Sequence, residues 1–210
     1  MSGIAVVMDY QNIHLTAHGR FCAPGEPVHE CLTHPLHFAN QILLARRNSR
    51  TLRGLATLDW PSLSVVTVFR GLPSNKHQPE FYRRNLAQRS EWTRDPRVQV
   101  TYRSLRYSFD NTGYWTAQEK GVDVQVALEV VRHAQSGDYE VVILASHDTD
   151  LEPALDYGRE LEPVQDGRAV IETAGWHQCK RLRSSGTGGL WHTVLDRSAF
   201  GSSIDRKPYP

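Results

Sequence analysis

The chain has 210 residues, 40% of them hydrophobic, with 24 Lys and Arg against 23 Asp and Glu and a formal net charge of +1. That length and apolar content suit one domain with a sizeable core, and no apolar run approaches the roughly 20 residues that cross a bilayer. The near-zero balance neither requires nor excludes a nucleic-acid partner, so the local distribution of charge has to decide.

The first strand is read over "GIAVVM" (3–8) and ends at Asp9. "MSGIAVVMDY" enters it with no basic segment before it, which argues against a secretory signal and for a cytoplasmic location. Residues 16–34, "TAHGRFCAPGEPVHECLTH", are rich in Pro and Gly and read as a long loop. The loop carries Cys22 and Cys31. With Cys179 they make no disulfide framework, and reduced thiols are expected.

A helix begins at Pro35, followed by a strand over "LSVVTVF" (63–69), a helix from Gln78 and a strand over "VQVTY" (98–102). "KGVDVQVALEVVRHAQ" reads as a helix from Lys120, "YEVVILAS" (139–146) as a buried strand, the stretch near Asp150 as a helix, and "RAVIET" (168–173) as a further strand. Residues 184–189, "SSGTGG", read as flexible, "LWHTVL" (190–195) as a candidate edge strand, and the last ten residues as a loose tail. Near-continuous apolar strands alternating with helices predict an α/β, doubly wound sandwich whose mainly parallel central sheet is flanked by helices. The expected organisation is a domain over 1–183 and a flexible C-terminal extension over 184–210.

In such a sheet, ligands bind outside the carboxyl ends of the strands, where Asp9 lies. It either begins a turn or joins other acids around a metal ion. Counting from Asp123 by helical steps gives Val126, Ala127, Val130 and Ala134, which predicts its side chain on the core-facing stripe. An unpaired buried carboxylate needs a cation, a metal or a proton, while an acid in a first helical turn is also favoured by the macrodipole. After the strand over 139–146 come Ser146, His147, Asp148, Thr149 and Asp150, and two aspartates exceed what one helix cap uses. Four acids brought to one rim would suit Mg²⁺ or Mn²⁺, hard cations that prefer oxygen ligands. Asn12 would orient a carboxylate or a phosphate, or serve as a turn or cap residue.

"VVMDYQN", "KGVDV" and "VILASHDTDLEPAL" resemble, in that order, the three motif blocks of the NYN family of PIN-like ribonuclease domains. The resemblance spans roughly residues 3–173. It implies a PIN-like fold, an acidic pocket holding Mg²⁺ or Mn²⁺, and hydrolysis of RNA phosphodiesters. Asp9 matches the acid of the first strand, Asn12 its companion, Asp123 the acid of the lysine-glycine-valine-aspartate block, and Asp148 and Asp150 the final pair. His147 departs from the pattern, which usually has glycine there, and would crowd the pocket or add a ligand or proton donor.

From Arg70 to Arg106 nine Lys or Arg face three Asp or Glu, interleaved with Phe81, Tyr82, Trp92 and Tyr102. Such a surface would suit single-stranded RNA, with Arg83, Arg84 and Lys120 as phosphate contacts. Phe81 and Trp92 are read as core residues of an amphipathic helix. Cys22, His29, Cys31, His34 and His37 are acceptable zinc ligand types, yet they lack a paired Cys-x-x-Cys, and zinc is disfavoured. The leading expectation is a metal-dependent endoribonuclease. Alternatives are a non-catalytic RNA- or protein-binding module, or a phosphatase whose first-strand aspartate takes a phosphoryl group, disfavoured by Gln11 where a second acid is expected. A homo-oligomer stays open.

Overall fold

The computed structural model describes residues 3–112, 114–160, 169–186 and 189–210. The end of the helix expected near Asp150, at Leu161, the first residue of the expected strand, Arg168, and Thr187–Gly188 within the expected flexible segment lie outside these residues.

Strand β1 (Gly3–Asp9) is buried along its whole length, and its alternating side chains serve two cores. Ile4, Val6 and Met8 join one cluster, Ala5 and Val7 the other, as the period of two requires for a strand covered on both faces. Around it lie β2 (Ser62–Leu72), β3 (Val98–Ser104), β6 (Val141–Ala145), β7 (Val170–Trp176) and β8 (His192–Leu195). The six-stranded sheet has the order β3-β2-β1-β6-β7-β8, and each neighbouring pair is parallel.

Helices α1 (Tyr10–Phe21), α2 (Pro35–Leu52), α3 (Pro79–Trp92) and α6 (Arg197–Ser203) contribute Ile13, Phe38, Ile42, Trp92 and Phe200 to one core. Helices α4 (Val122–Gln135) and α5 (Glu152–Glu160) place Val126, Val130 and Leu155 in the other. This is the expected doubly wound α/β sandwich. The strand order reverses between β1 and β6, so the carboxyl ends of these two strands form the switch point where such sheets bind ligands.

Several expectations need correction. Residues 16–21 are helical: Asp9 caps α1 directly, so the helix leaves β1 without a loop. A hairpin of β4 (Arg106–Phe109) and β5 (Trp115–Gln118) was not expected; its residues are mostly exposed and form no apolar run. Cys22 and Cys31 form a disulfide, leaving Cys179 free. The pairing consumes two of the zinc ligand types considered above, and it removes the support that free thiols lent to a cytoplasmic location.

The C-terminal segment is also docked rather than loose. Beyond the edge strand β8, which is where the sequence placed it, α6 is capped by Asp196, and Thr33 bridges Ile204. The buried Asp205 accepts a hydrogen bond from Trp92 Nε1 at 2.7 Å and another from Tyr209. Across the opposite part of the fold, Arg46 of α2 makes a bidentate, buried ion pair with Glu172 of β7 at 2.6 and 2.8 Å. No described helix is long and apolar enough to cross a membrane.

Candidate metal centre

Asp9 is the last residue of β1 and the N-cap of α1. It is almost fully buried at the switch point. One carboxylate oxygen accepts the Asn12 amide of the first helical turn, and the other accepts Ser146 Oγ at 2.8 Å from just beyond β6. Burial pushes its carboxyl up to about 7; the Ser146 and Asn12 hydrogen bonds oppose that rise, and the nearby Asp123 and Glu119 charges add to it.

Ser146 Oγ also accepts the Asp148 amide at 3.1 Å, so one hydroxyl ties both acids to the end of β6. Asp148 caps the following turn by accepting the Asp150 amide at 3.0 Å. Asn12 Oδ1 accepts the His147 amide at 2.8 Å, which fixes the same loop from the α1 side. Asn12 therefore acts as a clamp between β1–α1 and the β6 loop: its backbone serves Asp9 and its side chain holds the His147 amide, one residue before Asp148.

Asp123 lies in the first turn of α4. The core stripe of that helix runs through Val126, Val130 and Ala134 as expected, but it begins at Val122, so Asp123 is exposed at the rim rather than aimed along the stripe. Partial burial and the charges of Asp148 and Asp150 still raise its carboxyl above the ordinary value. The turn into α4 depends on Gly121, whose φ of 78° lies in the left-handed region and whose missing Cβ leaves room for Arg103 Nε.

Asp9, Asp123 and Asp148 each offer a carboxylate oxygen within 4.8 Å of the others. Three oxygen donors so placed match what a hard divalent cation requires, and the Asp9 and Asp123 carboxyls are raised first by burial and further by the neighbouring carboxylates. Asp150 is exposed and not part of this trio, although it is near enough to act on Asp123. Glu119 was not singled out from the sequence. Its carboxylate accepts the Gly71 amide at 2.5 Å and bears on Asp9.

His147 does not enter the acidic site. Its Nδ1 donates to the Lys180 carbonyl at 2.9 Å and its Nε2 accepts the Trp176 amide at 3.1 Å. Burial lowers its basicity, so the neutral ring that this pairing needs is favoured. The ring lies against Gly175, where an added Cβ would come within 2.3 Å of Cε1. The residue that departs from the family pattern is thus a strut between the β6 and β7 loops.

Beside the acids opens a cavity of about 610 Å³ whose lining includes Gln11, Arg70, Arg84 and Glu119. Of the expected phosphate contacts, Arg84 faces this cavity, whereas Arg83 and Lys120 are exposed side chains. Trp92 is a core residue as expected; Phe81 is exposed at the cavity mouth instead.

No family model and no curated protein matches the chain. Among solved structures it is similar to a protein of unknown function from Vibrio parahaemolyticus, at 14% identity over 86% of this chain and 85% of that one, with a TM-score of 0.46.

Proposed function

We propose that the chain is a metal-dependent endoribonuclease of the NYN, PIN-like type, acting on single-stranded RNA. The observation that carries the reading is the convergence of Asp9, Asp123 and Asp148 within 4.8 Å at the switch point of a parallel sheet. Mg²⁺ or Mn²⁺ held by these carboxylates would supply an acidified water and neutralise charge developing at the scissile phosphate.

The protein's own part is positioning. Ser146 sets Asp9 and Asp148 relative to each other, and Asn12 holds the loop that carries Asp148. Asp123 reaches the group from α4, a separate element, so the trio exists only in the folded chain. Asp150, on the outer side, adds negative charge that favours cation capture. Arg84, with Arg83 and Lys120 farther out, would neutralise phosphates along the strand.

The test is cleavage of end-labelled single-stranded RNA in Mn²⁺, Mg²⁺ or EDTA, with an Asp148→Asn variant beside the wild type. Metal-dependent cleavage that the variant loses supports the reading. RNA binding without cleavage in any metal would instead favour a non-catalytic binding module.

A further inference from the structure

On the β7 side of the acids, the loop after that strand carries Lys180, Arg181 and Arg183, three exposed cations within four positions. Because β6 and β7 are parallel neighbours, this loop leaves the sheet at the same edge as Asp148. Its backbone is braced. The Lys180 carbonyl accepts His147 Nδ1 at 2.9 Å, the Arg183 amide donates to Glu152 Oε1 at 2.9 Å, and Asp156 accepts the Ser185 amide at 2.9 Å. Leu182 is buried in the same core as Leu151 and Leu155, while Arg181 and Arg183 on either side of it stand in solvent. Lys180 Nζ reaches Thr149 Oγ1 at 3.3 Å, which sets the ammonium beside the residue between Asp148 and Asp150. These groups border a cleft of about 880 Å³ that Thr149 and His192 also line.

Among the described residues none of the three cations makes an ion pair. Glu152 also lines the cleft, but its Oε1 is engaged by the Arg183 amide. Like charges held together on a braced loop repel one another, and an incoming anion relieves that repulsion. The anion that fits this place is a phosphodiester. A strand whose scissile phosphate lies over Asp9, Asp123 and Asp148 carries its next phosphates along the carboxyl edge of the sheet, where β7 follows β6. We propose that Lys180, Arg181 and Arg183 form a phosphate track that holds the RNA strand on the β7 side of the acids. Two of the three are arginines, whose planar fork pairs with two phosphate oxygens at once. With Leu182 buried, the loop offers no apolar anchor to a lipid surface. The inference rests on the ribonuclease reading and adds to it a second group of contacts, across the acids from Arg84, so that the substrate is held on both sides of the scissile bond.

The experiment is fluorescence-anisotropy titration of labelled single-stranded oligouridylate over a range of salt concentrations, in EDTA so that binding is read without cleavage. The triple variant Lys180→Ala, Arg181→Ala, Arg183→Ala should bind at least ~10-fold more weakly than wild type at low salt, and its slope of log K against log salt should be shallower by about 2, at about 0.7 for each phosphate contact on a single strand. Arg181→Lys with Arg183→Lys should keep the wild-type slope, because counterion release follows charge. Arg94→Ala with Arg132→Ala, at the ends of the helices leading into β3 and β6, should keep it as well. An unchanged slope in the triple variant, an equal loss from the Arg94 and Arg132 changes, no RNA binding by the wild type at low salt, or tighter binding to phosphatidylglycerol vesicles than to RNA would each overturn the proposal, and the last two need no variant. Cleavage in Mn²⁺, run in parallel, separates the two readings. RNA cleavage with an unchanged slope in the triple variant removes the track and leaves the nuclease, whereas a shallower slope without cleavage in any metal removes the nuclease and leaves an RNA-binding track.

Discussion

Replacing Asp9 with Asn should stabilise the metal-free protein at neutral and alkaline pH. The wild-type carboxyl is raised by burial from 3.8 to about 7 on folding. A folded-state value above the unfolded one means that the native state holds the extra proton between these values. Unfolding free energy therefore falls as pH rises through that window. Three pKa units at 1.36 kcal/mol each cap the whole effect at about 4 kcal/mol, of which about 2–3 kcal/mol falls between pH 5 and 8.

Buried His14 and half-buried His192, lowered to about 3 and about 4, act in the opposite sense in the lower part of this window, because their depressed values favour the native state increasingly as pH rises to 6.5 and add nothing further above it. Their contribution is common to both proteins and cancels in the difference. Asn at position 9 keeps one acceptor oxygen where Asp9 offers two, to the Asn12 amide and Ser146 Oγ, but that loss is the same at every pH, so the pH-dependent part of the difference isolates the charge. Urea unfolding in EDTA at pH 5 and pH 8 is the assay. The variant's advantage should grow by about 2–3 kcal/mol across that range, and saturating Mn²⁺ at pH 8 should reverse it by stabilising only the wild type. A difference that stays flat with pH would refute the argument that burial and neighbouring acids strain this carboxylate.

Other perturbations test the surrounding frame. Gly175→Ala should displace the His147 ring, costing about 1–3 kcal/mol by overpacking, and a lowered melting temperature should be accompanied by reduced RNA cleavage as the Asp148 loop loses its strut. Glu172→Ala leaves Arg46 buried without its partner and should cost about 3–5 kcal/mol in urea unfolding, largely recovered by pairing Glu172→Leu with Arg46→Met. Thiol alkylation of the unreduced, unfolded protein should label Cys179 alone; labelling at Cys22 and Cys31 as well would mean that the disulfide does not form.

The strands were legible because burial on both faces of a parallel sheet leaves long Val- and Ile-rich runs, as in "GIAVVM" and "VVILA". Asp9 and Asp148 were legible for a related reason: a carboxylate directly after such a run lies where the sheet ends. Helix α1 was hidden because Asp9 caps it with no intervening loop, and one of its buried positions is a histidine, among Tyr10, Ile13, His14 and Ala17. Asp123 was found but misaimed by one position, since Val122 rather than Asp123 starts the buried stripe.

Long-range contacts carry no local mark. The Ser146 hydroxyl meets Asp9 across 137 positions and Trp92 meets Asp205 across 113, so neither the clamp nor the docked tail could be read from neighbouring residues. Arg70 did leave a trace, as a cation embedded in the apolar strand "VVTVFRG" where a solvated arginine would not be placed.

The central claim, that three aspartates from three separate segments make one cation site, is tested most directly by Mn²⁺ titration at pH 8 of the wild type and of four single Asp→Asn variants. One Mn²⁺ site is expected in the wild type, lost or strongly weakened in Asp9→Asn, Asp123→Asn and Asp148→Asn, and weakened much less in Asp150→Asn. Mn²⁺ binding that survives all of the first three substitutions, or a wild type that binds none, would contradict it.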